Sequence, residues 1–578
     1  MLKLRRYLKN YKFHLTVGPL CKLIEAIFEL IVPLVMADII DNGLNGANAS
    51  VGYILGRGGI MVALGVAGLG FSLICQYVAS RCSQGFGTTL RSDLFRHIHS
   101  LSFAELDRIG TPSMITRMTS DIDQLQVAVA MLIRLVIRAP FLVVGSVVMT
   151  IAINPKLALV LVAVAPLIAL ALWAIMSATI PRYGKIQSKL DQVSDVAREN
   201  LTGIRVVRAF SKQQTETRRF DDATQDLARS SIVVGRISAL LNPITFVVIN
   251  LAIVAILYFG GDLVDTGAMT QGEITAFVNY LMQISLALVV VANLIILYTK
   301  SAASAKRIRE VFGMQSSIRQ PRQDAPPAPA QDAPKLEFED VSFGYGGKTA
   351  LRDLTLQVYA GETIGVIGGT GSGKSTLIHL IPRFYDAAQG CVKLDGADVR
   401  SYPLRDLRAH VGLVPQQSRL FAGTIRSNLL WGNPDADEAT LDWALEVAQA
   451  KEFVYAKPEG LDTPVNQGGK NFSGGQRQRL TIARALVGKP DILILDDSMS
   501  ALDFATDLAL RTALARELPD TTKIFVSQRA TSLRHADKIV VLDHGDVAGI
   551  GTHETLLDTC EIYREIWNSQ QSEQEAQA

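Results

Sequence analysis

The sequence predicts a multidomain chain: a six-helix all-α transmembrane domain followed by an α/β P-loop nucleotide-binding domain. Three observations carry this. Six long apolar stretches all lie before residue 300. Beyond a proline-rich segment the pattern changes to short β-rich runs alternating with helical ones. Within that second half, Gly368-Gly-Thr-Gly-Ser-Gly-Lys-Ser has the spacing of a phosphate-cradling loop.

The apolar stretches come first. The 578 residues are 48% hydrophobic and 19% charged, and the mean hydropathy is +0.23. Stretches near 16–40, 53–79, 130–153, 157–180, 238–261 and 274–299 are each long enough to cross about 30 Å of hydrocarbon. Pro33, Pro140, Pro166 and Pro243 fall inside them, which membrane helices tolerate when neighbours satisfy the freed carbonyls. The apolar run behind the basic N-terminus is too long for a cleavable signal. Lys3, Arg5, Arg6, Lys9 and Lys12 precede or open the first span with no acid among them. The connections near 41–52, 154–156 and 262–273 hold Asp41, Asp262 and Asp265 but one base, Lys156. This bias puts the N-terminus in the cytoplasm and the short loops outside. The polar segments 80–129 and 181–237 are then cytoplasmic, and they read as continuations of the membrane helices.

The expected domain limits are 1–315 for the membrane domain, 316–335 for a linker, 336–569 for the nucleotide domain and 570–578 for a disordered tail. The linker is assigned on its Pro/Gln/Asp-rich composition, Gln320 to Pro334, and the tail on its polarity. Five cysteines show no metal-type spacing and are read as buried thiols. The net charge of +2 says nothing of nucleic acid, and none is expected as a partner.

In the phosphate loop, Gly368, Gly369, Gly371 and Gly373, with Thr370 and Ser372, let backbone N–H groups converge on phosphate oxygens. The helix opening at Lys374, Ser375 and Thr376 adds its dipole. Lys374 is expected to reach the β/γ-phosphates of ATP and Ser375 to ligate Mg2+. Further on, Ile492-Leu-Ile-Leu-Asp-Asp is a buried strand ending in carboxylates, of which Asp496 is expected to hold Mg2+ through water.

Between these motifs, Asn471-Phe-Ser-Gly-Gly-Gln-Arg-Gln-Arg resembles LSGGQ, the signature of the ATP-binding cassette transporters, with Phe472 for Leu. Ser473, Gly474, Gly475 and Gln476 open a helix and so form a second anion site. The resemblance implies that they cap the γ-phosphate of ATP held by an opposite subunit. Gln416, in Leu413-Val-Pro-Gln-Gln, is similar to the family's Mg2+-sensing glutamine, Tyr345 to its adenine-stacking aromatic, and Ser500-Ala-Leu-Asp503 to its D-loop. The membrane-first order is that of exporter-type half-transporters. The segments Gly110 to Asp121 and Glu199 to Phe210 resemble their cytoplasmic loops, with coupling helices expected near Thr111–Ser113 and Ser211–Gln214.

Two positions depart from the family pattern. Asp497 stands where the catalytic Glu is usual, and Gln528 where His is usual. Asp is shorter by one C–C bond, about 1.5 Å, and a misplacement of about 1 Å can cost on the order of 100-fold in rate. Gln528 can hydrogen-bond phosphate but cannot become cationic. Gln467 also replaces a common Glu. Together these changes resemble the degenerate-site subunit of heterodimeric bacterial multidrug exporters. They imply a partner chain that carries the Glu and the His.

For the transport path, Lys22, Glu25 and Glu29 share a face of the first span, and intramembrane ionisable groups are by default functional candidates. A self-neutralising interfacial pair is the alternative. Asn279, Gln283 and Asn293 share a face of the sixth, where they line a cavity or bond a neighbouring helix. Arg134 and Arg138 are expected to snorkel to the headgroups. The implied function is ATP-driven export of small amphipathic molecules from within membrane lipid, across a bacterial plasma membrane. A lipid flippase, a peptide exporter, an exporter-fold siderophore importer, and an ATP-gated channel or non-pumping regulatory subunit stay open.

Overall fold

The computed structural model of the chain describes residues 2–44, 50–320 and 332–577. Residues 321–331, most of the expected linker, lie outside the described residues. The chain forms two compact units. One comprises Met1–Ser100 with Ile109–Met314, the other Leu101–Arg108 with Gln315–Ala578.

Among the described residues of the membrane unit, five helical stretches are long and apolar enough to cross a bilayer: Val51–His99, Thr111–Ile153, Pro155–Thr202, Gln213–Asp265 and Gln271–Phe312. A further helix, Lys12–Asp38, has 27 residues and the length to span. Its charged Lys22, Glu25 and Glu29 set it apart in composition. The 49 residues of Val51–His99 rise about 73 Å. That is more than twice the hydrocarbon thickness, so this membrane helix does run on beyond the bilayer. The expected third span is interrupted, with helix Ile122–Arg134 ending in a turn before Arg138–Ile153. Pro140 explains the break, since its ring crowds the carbonyl four residues back, at Val136, and it donates no N–H.

Helix starts follow local chemistry. Asn154 Oδ1 caps Lys156 N and Leu157 N, with Pro155 opening the helix. Thr270 and Glu273 form a reciprocal capping box. Inside the unit, Phe277 and Tyr280 are fully buried, and the Tyr280 hydroxyl donates to Leu30 O at 2.6 Å.

The second unit contains the α/β domain. Strands β1 (Leu336–Tyr345), β2 (Lys348–Val358), β4 (Gln389–Leu394) and β5 (Ala397–Asp398) form an antiparallel sheet in the order β2-β1-β4-β5. The main sheet is built from β3 (Thr363–Gly368), β6 (Val411–Val414), β9 (Ile492–Asp496), β10 (Thr522–Val526), β11 (Lys538–Asp543) and β12 (Asp546–Gly551). Its order is β12-β11-β3-β10-β9-β6, parallel except for β12. A short ladder pairs β7 (Gly423–Thr424) with β8 (Pro464–Val465). The central strands are buried on both faces, which is why Ile492–Asp496 and Thr522–Val526 read as near-continuous apolar runs.

The last helix, Glu561–Gln577, runs through the segment expected to be a disordered tail. Cys21, Cys75, Cys82 and Cys560 are buried and Cys391 is half-buried.

Candidate nucleotide-binding site

The register of the main sheet assembles the site. Val526 of β10 lies beside Val366 of β3 on one side and Asp496 of β9 on the other. The phosphate loop, the carboxylate pair and the Gln528 segment therefore leave the sheet together at the C-terminal ends of parallel strands, where open α/β sheets bind ligands.

The loop needs its glycines. A Cβ at Gly368 would lie 2.1 Å from Leu542 O, and Gly373 has φ 104°, with a Cβ 2.6 Å from Ala350 O. At Gly369 and Gly371 a Cβ would meet nothing within 4 Å, so that side of the loop is open to a ligand. Lys374 Nζ donates to Gly368 O at 2.8 Å and Gly369 O at 2.7 Å. Burial holds its pKa below the ordinary lysine value, against the opposing pull of Asp496 and Asp497. Thr370 and Ser375 are exposed beside it, whereas Ser372 and Thr376 are buried.

Asp496 is 8% exposed. Burial first, and the neighbouring Asp497 second, push its carboxyl up to about 6, with Lys374 resisting. A buried carboxyl beside an exposed serine hydroxyl and an open glycine loop suits a magnesium nucleotide. Ser375, Gln416 and Asp496 are the residues that can hold the metal. Asp497 sits at φ 43°, a left-handed conformation that Asp tolerates better than most residues. Its N–H donates to Val526 O at 2.9 Å, and its carboxylate Oδ2 accepts from Gln416 Nε2 at 3.3 Å. Ser500 Oγ donates to Asp497 O at 2.7 Å.

The signature is a capping box. Ser473 Oγ accepts from Gln476 N at 3.2 Å and Gln476 Oε1 accepts from Ser473 N at 3.0 Å, opening helix Gly474–Val487. Gly474 has open space where a Cβ would project. Asp503 caps helix Phe504–Glu517, accepting from Thr506 N at 2.9 Å and Thr506 Oγ1 at 2.8 Å. The backbone bond, then the hydroxyl, hold its pKa below the usual carboxylate value. Gln467 begins a short 3-10 turn.

Tyr345 ends β1, 41% exposed, and stands edge-on to Phe343 and Tyr385 at centroid distances of 4.9 and 5.3 Å. The Tyr385 hydroxyl donates to Asp107 Oδ2 at 2.5 Å, and its pKa is raised by burial and by that carboxylate. Tyr385 and Asp107 carry no motif; the aromatic run Phe384-Tyr385 was the only signal in the sequence. Asp107 belongs to helix Phe103–Ile109. The piece of the membrane-side sequence that packs with the ATPase unit is thus Leu101–Arg108, several residues before the expected Thr111–Ser113. The second expected turn is present, with Ser211 at φ 51° ahead of helix Gln213–Ala239.

Several of the membrane candidates are drawn into contacts with neighbouring helices. Lys22 Nζ pairs with Glu25 at 2.6 Å and donates to Ser72 Oγ at 3.0 Å. Arg138 reaches Glu29 at 2.7 Å rather than the headgroups, while Arg134 donates to Ser80 Oγ at 3.2 Å. Gln283 Nε2 donates to Glu29 O at 3.1 Å and Asn279 Nδ2 to Thr275 O at 2.9 Å. Asn293 is exposed.

Comparison with known proteins agrees with both units. A family profile described as the ABC transporter transmembrane region matches residues 15–288, and one described as ABC transporter matches 351–500. The chain is 38% identical to the uncharacterized ABC transporter ATP-binding protein MT1311 of Mycobacterium tuberculosis, over 98% of this chain and 97% of that one. It is 30% identical to the probable multidrug resistance ABC transporter ATP-binding/permease protein YheI of Bacillus subtilis, over 98% and 97%. A solved structure of a bacterial Atm1-family ABC exporter with ATP bound superimposes with a TM-score of 0.78 at 25% identity, covering 98% of each chain. The chain belongs to the ATP-binding cassette transporters, as an exporter half that fuses one transmembrane region to one ATP-binding domain.

Proposed function

We propose that this chain is the degenerate-site half of a heterodimeric exporter that drives small amphipathic molecules of the multidrug type out across a bacterial plasma membrane. The observation that carries the reading is Asp497. Its short carboxylate occupies the catalytic position, in a left-handed backbone and within reach of Gln416. Gln528 stands two residues beyond β10 in place of His, so this chain's own site lacks both usual groups. The signature capping box at Ser473 is intact and can serve a partner that carries Glu and His. The name of the Bacillus subtilis relative YheI supports multidrug-type cargo.

In this reading helix Lys12–Asp38 is the first of six spans, tolerated in lipid because Lys22–Glu25 and Glu29–Arg138 neutralise its charges. The N-terminus and ATPase domain are cytoplasmic. Tyr345 stacks on adenine, Lys374 and the loop amides hold the phosphates, and Ser375, Gln416 and Asp496 hold Mg2+. The metal, when bound, neutralises charge on the phosphoryl oxygens. Binding of ATP by two ATPase domains closes them and turns the membrane halves outward.

The test is ATP hydrolysis by the purified chain. Alone it hydrolyses poorly, and robust turnover by a verified homodimer would overturn the degenerate-site reading. ATP-dependent dye uptake into inverted vesicles, by the chain with its partner, separates pumping from gating.

A further inference from the structure

The last helix of the ATPase unit packs against the segment that carries Gln528. Tyr563, Ile566 and Trp567 of Glu561–Gln577 lie on one face. Tyr563 is fully buried with its hydroxyl 2.8 Å from His553 Nδ1, and the Trp567 ring packs on His553 at 4.5 Å. Gln570 falls on the same face, three residues after Trp567 and seven after Tyr563. There its amide meets main chain. Nε2 donates to Gln528 O at 2.7 Å, and Oε1 accepts from Ala530 N at 2.9 Å. One donor and one acceptor are matched, so the amide orientation is set by its partners.

The clamped segment is short. Ser527 N donates to Val366 O at 3.1 Å and Arg529 N to Ser527 Oγ at 3.0 Å, before Ala530–Leu533 turns into the core. The side chain of Gln528 itself is exposed. A group that must meet a phosphate oxygen works only if its backbone is fixed, and a two-point tether supplies that.

We infer that Gln570 is a positioning residue for the ATPase reaction. It holds the backbone of Gln528–Ala530 so that the side chain at 528 faces the phosphates. The inference rests on reading residue 528 as phosphate-facing, and it holds whether this chain's site is weak or strong.

The experiment uses the full-length transporter with two readouts. The first is amide exchange at Ala530. Gln570→Ala speeds it roughly tenfold, the scale of one lost hydrogen bond, whereas Gln570→Glu, which still accepts, keeps it slow. The second is steady-state hydrolysis by this chain without its partner, so that only its own sites turn over, in a Gln528→His background, where residue 528 is at full strength. There Gln570→Ala and Gln570→Glu both lower kcat about tenfold with little change in the KM for ATP. In a Gln528→Ala background neither lowers it further. Unchanged exchange at Ala530 overturns the tether. An equal fall in kcat with Gln528→Ala overturns the positioning role, by showing that Gln570 acts elsewhere. If Gln528→His and Gln528→Ala turn over alike, residue 528 does not face the phosphates and the role falls with that assignment, while the exchange result still judges the tether by itself.

Discussion

Gln416 Nε2 lies 3.3 Å from Asp497 Oδ2. The contact is longer than the usual 2.9–3.0 Å of an N–H···O bond, and it links the residues that follow two neighbouring strands, β6 and β9. The left-handed backbone at Asp497 turns its carboxylate toward Gln416. A one-carbon extension would follow this direction, so the proposed degenerate site predicts a deficit of reach at 497.

Asp497→Glu combined with Gln528→His therefore raises hydrolysis by this chain's own site, on the order of 10- to 100-fold if reach and the imidazole are the main defects. Single-turnover hydrolysis measures it. No gain in the double variant means that the site is weak for another reason.

The asymmetric reading separates two further variants in the heterodimer. Ser473→Ala with Gly475→Ala breaks the capping box and fills space near Ala501 O. It removes most hydrolysis, because the signature serves the partner's site. Asp497→Ala changes the rate far less. Equal damage from both, measured by single-turnover hydrolysis, would falsify the asymmetry.

Asp496 makes magnesium-nucleotide binding pH-dependent. Its carboxyl titrates at about 6 in the folded protein, against an ordinary 3.8. The raised value means that the protonated form is favoured on folding. Its contribution to stability is thus full below about 4 and lost as pH rises through 6. Mg2+ needs the ionised form, so nucleotide affinity in magnesium falls about tenfold per pH unit below 6. Nucleotide titrations from pH 5 to 8 test this. In Asp496→Asn that step disappears, and a step that persists there belongs to another group.

Tyr345→Ala weakens ATP binding by about 1–3 kcal/mol, the scale of one base–aromatic stack. Tyr345→Phe keeps the affinity. A titration with unchanged affinity for Tyr345→Ala removes it from the site.

Glu29→Gln strands Arg138, whose Nε is already buried without a partner. The stranded charge costs about 1–3 kcal/mol, read as a lower melting temperature in detergent. Arg138→Met in the same chain restores it. Failure of the second change to restore stability shows that the pair is not the stabilising unit and returns Glu29 to the transport path.

The sequence by itself determined the two-part architecture and singled out the candidate nucleotide residues. Both signals are local: spans follow from unbroken apolar runs, and the phosphate loop and signature follow from residues within a dozen positions of one another. Even the Ser473–Gln476 box could be read from its spacing. Only the tertiary structure decided what distant segments do to each other. It paired Arg138 with Glu29 and bonded Gln283 to the first helix, because a charge or amide in an apolar interior takes the nearest partner, whatever its sequence distance. It moved the segment packed with the ATPase unit to Leu101–Arg108. It also turned an expected tail into a helix whose Gln570 grips the Gln528 segment. None of these leaves a periodic trace, because each depends on which strands and helices the fold makes neighbours.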